Sequence, residues 1–132
     1  MLCVFRSVFM TKFLNLIKTY WVIITAIILV AITTLSLWPL KTLPSVPGSD
    51  KTHHFIAYAF LMLPVALRRP KYWMWVGVLF VLVSGGIELL QPLVNRYAEW
   101  FDMLANGIGV LCGVILSQIL RWFFRAHSRS LQ

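Results

Sequence analysis

The chain has 132 residues, 60% of them hydrophobic and 12% charged, with a mean hydropathy of +0.82. That composition excludes a soluble globular domain, makes the bilayer the solvent, and leaves room for one small helical bundle and no second domain. The formal net charge of +8 gathers at the ends of apolar runs, which points to anionic lipid and membrane orientation and away from nucleic acid.

Residues 1–20 mix Arg6, Lys12 and Lys18 with Phe5, Phe9, Phe13 and Leu14, a pattern that predicts an interfacial helix, with Met10 as an alternative start. Four apolar stretches follow: Trp21 to Trp38, Phe55 to Leu67, Tyr72 to Leu90 and Phe101 to Phe124. Barrel strands would be shorter and would alternate polar with apolar residues, so the stretches predict helices. The expected architecture is all-α: a compact bundle of four transmembrane helices over residues 21–124, closed by a cytoplasmic tail at 125–132. The first stretch has no small-x-small cleavage site before Lys41, which favours a retained anchor over a secretion signal. Pro39 to Gly48, with three prolines, predicts an outer loop. Trp21, Trp38, Trp73, Trp75, Trp100 and Trp122 all fall near the ends of stretches, as an aromatic belt would. Cys3 and Cys112 lie at different expected depths, so no disulfide framework is predicted.

Nine of the twelve basic residues fall on one side: Arg6, Lys12 and Lys18, then Arg68, Arg69 and Lys71, then Arg121, Arg125 and Arg129. That side is expected to be cytoplasmic, with both termini inside. The opposite side holds Lys41, Lys51 and Arg96, together with all four acids of the chain, Asp50, Glu88, Glu99 and Asp102. At about 1.5 Å per residue, His54 lies about 21 Å above Arg68, Glu88 about 26 Å above Lys71, and Asn106 and Asp102 about 22 and 28 Å above Arg121. Against a hydrocarbon core of about 30 Å, these groups share one layer just inside the outer interface. Carboxylates at such a depth are costly and call for a reason.

Helical phase adds a second constraint. Asp102, Asn106, Gly109 and Gly113 share one face, the two glycines forming a close-contact pair suited to the bundle interior or to a homo-oligomer. Asp50, His54 and Tyr58 make one stripe, with Lys51 at its edge, and Ser84, Glu88 and Gln91 make another. Glu88 has no basic neighbour in sequence, and its structural alternative is a bond to His54 or Lys51 across helices. Asp50 and Asp102 stand where a carboxylate caps a helix N-terminus. Two such N-termini, with Lys51 and Arg96, could hold an anion such as phosphate. A zinc site from His54, Glu88 and Asp102 lacks any accompanying HExxH or cysteine spacing, so neither a metal nor another cofactor is expected.

The strings Asp50-Lys51-Thr52-His53-His54-Phe55-Ile56-Ala57-Tyr58, Glu88-Leu89-Leu90-Gln91, Arg96 to Asp102 and Asn106-Gly107-Ile108-Gly109 resemble the VanZ-like family of bacterial membrane proteins. Its pattern reads D-K-x-x-H-x-x-x-Y, E-x-x-Q, R, D and N-x-x-G in that order. Asn95 departs from it, because a glycine before the arginine is more usual. The shared layer and the helical stripes make a candidate ligand site of Asp50, Lys51, His54, Tyr58, Glu88, Gln91, Arg96, Asp102 and Asn106. The resemblance implies a link to resistance against the glycopeptide teicoplanin, with no settled reaction attached. Three functions fit. One is a pocket for the headgroup of an envelope lipid or amphiphile, and another a structural assembly factor. The third is an enzyme acting on a phospholipid or polyprenyl phosphate, with His54 and Glu88 or Asp50 as acid and base and Lys51 and Arg96 gripping phosphate. The absence of a known catalytic motif favours the first two.

Overall fold

A computed structural model describes the backbone of residues 2–39 and 50–129; the expected outer loop falls largely outside the described residues. The described residues contain no strand. They form α1 (Leu2–Thr19), α2 (Trp21–Ser36), α3 (Asp50–Arg68), α4 (Trp73–Leu90), a 3-10 turn (Gln91–Val94) and α5 (Trp100–Arg129). α2 is rich in Ile, Val and Thr, weak helix formers in water. In hydrocarbon a helix is nonetheless the one single-segment way to satisfy the backbone.

The turn from α3 to α4 is short because Arg69 adopts a left-handed conformation, φ 51°, and donates its backbone N–H to the Val65 carbonyl at 2.8 Å. The Arg69 guanidinium then lies over the Trp73 ring, 5.0 Å from its centroid.

α3 is the axis of the bundle. Tyr58, Leu61, Met62, Val65 and Ala66 of α3 are fully buried and join Ile32 of α2, Phe80 of α4 and Val110 of α5 in one core. The most extensive contact is between α3 and α5. It is made possible by the glycine pair: a Cβ on Gly109 would stand 2.4 Å from the Phe55 carbonyl oxygen, and one on Gly113 2.5 Å from that of Ala59. Both glycines are thus used inside the chain. Of the two uses expected for the pair, the bundle interior is the one seen, at the seam with α3.

The outside is apolar. Val22, Ile27 and Val30 of α2, Leu79 and Leu82 of α4, and Leu111 and Ile115 of α5 are exposed, the inverse of a water-soluble surface. Trp38, Trp75, Trp100 and Trp122 are exposed as a belt requires, whereas Trp21 and Trp73 pack partly against the core.

Trp73–Val94 and Trp100–Phe124 are each long and apolar enough to cross a membrane. A third candidate is the pair Thr11–Thr19 and Trp21–Ser36, bent by 73° at its break. The count is therefore two or three by length and composition, against an expectation of four. α3 is the helix that drops out, since Asp50, Lys51, His53 and His54 crowd its first turns. Asp50 and Lys51 are exposed at the end of the bundle, and only His54 of these is buried.

Candidate functional site

α2 and α4 end, and α3 and α5 begin, at the same pole of the bundle, and the polar side chains of four segments gather there. The predicted layer exists, but its pairings differ from those expected.

The segment after α4 sets the first of them. Pro92 supports the 3-10 turn, and Asn95 closes it in a left-handed conformation, φ 59°, ψ 37°. This is the position where a glycine is usual; asparagine is the side-chain-bearing residue best suited to it. The reversal sends Arg96 back into the bundle, where it is only 8% exposed. Its Nη1 donates to the Leu35 carbonyl at 3.0 Å, and its Nη2 faces Asp50 Oδ2 at 3.5 Å. Beside it, Gln91 Nε2 donates to the Ser36 carbonyl at 3.4 Å. Two side chains from the α4–α5 connection therefore satisfy carbonyls at the C-terminus of α2, which carries no basic residue of its own. Nothing in the local pattern of α2 signals this role.

Glu99 pairs with Lys51, Nζ to Oε2 at 2.6 Å, and not with Arg96, its near neighbour in sequence. Lys51 lies outside the apolar stretch of α3, and the hydrogen bond to Glu99 raises its pKa above the ordinary lysine value. The Glu99 backbone N–H donates to Glu88 Oε2 at 3.3 Å, so the acid of α4 bonds the start of α5 instead of His54 or Lys51. His54 instead faces Asp102, with 3.9 Å between Nε2 and Oδ2, both residues being buried. Asp102 lies in the first turn of α5, yet its carboxylate is directed at α3. Capping therefore does not account for it.

Below this layer, Asn106 Nδ2 donates to Ser84 Oγ at 2.6 Å, and Ser84 also hydrogen-bonds the Tyr58 hydroxyl. Ser84 was legible on the Glu88 stripe but is absent from the residues that the family pattern implies. Asp50, Lys51, His54, Tyr58, Glu88, Gln91, Arg96, Asp102 and Asn106 all fall in this polar region. They divide into a rim (Asp50, Lys51, Arg96), a middle (His54, Glu88, Gln91, Asp102) and a floor (Tyr58, Asn106).

Among the described residues, four buried oxygens at this pole have no hydrogen-bond partner: Glu88 Oε1, Gln91 Oε1, Asp102 Oδ1 and Asn106 Oδ1. All are acceptors, whereas the two basic groups expected to grip phosphate are already engaged within the chain. The site as built calls for a donor or a cation. Flanking it, α4 and α5 diverge around an apolar groove of 760 Å³ that runs from Met62 and Trp73 past Gly77 and Val110 to Trp100 and Met103. Its upper end reaches the turn of α5 that carries Asp102.

No curated protein matches the chain, and no solved structure does. The model of the VanZ/LLP1 family matches residues 4–121, which include all five helices in whole or in part and the entire polar pole. With its glycine seam, its Asp-Lys and His-Tyr stripe and its buried Arg96, the chain belongs to the VanZ/LLP1 family.

Proposed function

We propose that this protein spans the bacterial cytoplasmic membrane four times, with both termini inside, and that its outward-facing polar pole recognises the headgroup of an envelope lipid or amphiphile. Through that binding it influences susceptibility to glycopeptide-type or other envelope-active compounds. The observation that carries the reading is the juxtaposition of head and tail environments. Buried acceptors without partners stand at one end of an apolar groove large enough for a hydrocarbon chain. Because the vacant capacity is for accepting hydrogen bonds, the fitting headgroup bears hydroxyl or ammonium donors. The four-span topology rests on the basic-residue distribution and on α3 packing Tyr58, Leu61, Met62, Val65 and Ala66 into the core while its polar first turn stands at one end of the bundle.

A membrane enzyme acting on a phospholipid or polyprenyl phosphate is the second reading. The observation in its favour is His54 held opposite a buried carboxylate, the arrangement of a general base.

Lipid retention tests the first reading. Protein extracted in mild detergent and analysed by native mass spectrometry is expected to keep amine- or hydroxyl-headed lipids in preference to phosphatidic acid, and the Glu88→Gln, Asn106→Leu variant is expected to lose that preference. Unchanged retention in a well-folded variant would remove the lipid reading. Turnover of a phosphate-linked lipid that His54→Gln abolishes would install the enzyme reading in its place.

A further inference from the structure

Asp50, His54 and Asp102 each offer a ligand atom, and these atoms all lie within 4.8 Å of one another. We propose that the three side chains form a binding site for a divalent first-row metal ion such as Zn²⁺ or Mn²⁺, open toward the outer pole. This does not depend on the lipid reading.

The geometry begins with the helices. Asp50 and His54 are one turn apart on α3 and so share a face, while Asp102 arrives from the first turn of α5 across the glycine seam. His54 Nε2 and Asp102 Oδ2 are 3.9 Å apart, too far for a hydrogen bond, so neither satisfies the other. Asp102 is only 2% exposed, and its Oδ1 has no partner among the described residues. A buried carboxylate oxygen without a partner is costly, and this is the second, independent observation that favours a cation at the cluster. An ion with bonds of about 2.0–2.1 Å needs ligands about 3.3 Å apart, so His54 and Asp102 close by about half an ångström.

Charge and access agree with a metal. Two carboxylates and one imidazole neutralise a divalent ion, and a nitrogen and oxygen donor set suits Zn²⁺ or Mn²⁺ more than ions that seek thiolate. The Asp50 side chain is 58% exposed and forms the open side, leaving coordination positions for water or an incoming group. The positive charges nearby do not occupy the space: Lys51 is drawn to Glu99, and Arg96 is anchored on the Leu35 carbonyl, its contact with Asp50 stretched to 3.5 Å.

The test uses the full chain in detergent micelles, purified without a histidine tag and stripped with chelator. Titration with Zn²⁺ or Mn²⁺ alone is expected to show one ion per chain by calorimetry and elemental analysis, with a rise in Tm. Asp102→Asn and His54→Gln are expected to weaken that binding at least tenfold, while His53→Ala leaves it unchanged. Substituting Co²⁺ is expected to give a ligand-field absorption band that His54→Gln removes. Should either buried variant fail to fold, Asp50→Asn at the exposed edge carries the same test. Absence of saturable binding overturns the proposal. So does binding that persists at full affinity in a folded Asp50→Asn or Asp102→Asn protein.

Discussion

Asn95 shows how a single backbone conformation delivers a distant side chain. Its left-handed φ of 59° turns the chain so that Arg96 enters the bundle and reaches Leu35 and Asp50. Asn95→Gly is expected to leave stability unchanged or slightly raised, because glycine adopts this region without strain. Asn95→Val is expected to cost about 1–2 kcal/mol, read as a lower Tm in detergent, because a β-branched residue resists the left-handed region. The membership of the polar layer was legible in the sequence, since depth along a helix and angular phase are both simple functions of residue number. The pairings were not. Which carboxylate meets Arg96, Asp50 or Glu99, depends on how the 91–99 connection folds over the ends of α2 and α3, and no helical periodicity encodes a connection.

At the scale of helices, the seam between α3 and α5 yields a matched pair of substitutions. Gly113→Ala would drive a methyl group to 2.5 Å from the Ala59 carbonyl oxygen, and the seam must open to receive it. A loss of about 1–3 kcal/mol is expected, the usual cost of overpacking, measured by thermal unfolding in detergent. Gly107→Ala meets nothing within 4 Å and is expected to be neutral or to stabilise by up to about 1 kcal/mol through helix propensity. Equal effects at the two glycines would mean that the seam does not exist. The positions of α2, α4 and α5 followed the apolar stretches closely. α3 was visible as an apolar stretch from Phe55 but extends back to Asp50, because its first turn stands exposed at the pole and need not be apolar.

For the whole molecule, the inverted surface and the segregation of basic residues lead to a topology that can be measured. With Cys3 and Cys112 replaced, Arg69→Cys is expected to resist a membrane-impermeant thiol reagent in intact cells, and Tyr97→Cys, which is exposed at the opposite pole, to react. The reverse pattern would invert the membrane orientation and place the polar pole on the cytoplasmic side. α5 meets α4 less extensively than it meets α3, and the apolar groove lies between α4 and α5.

The glycine seam has a last consequence for the site above it. Knob and notch fit only in discrete steps, and the neighbouring step along a helix is one turn, about 5.4 Å away. A slip of that size would carry Asp102 clear of His54, so the alignment of the acid with the imidazole is held by steric registry and not by their mutual attraction. The seam acts as a mechanical indexing device, and the chemistry mounted on it can be exchanged residue by residue without moving the mount.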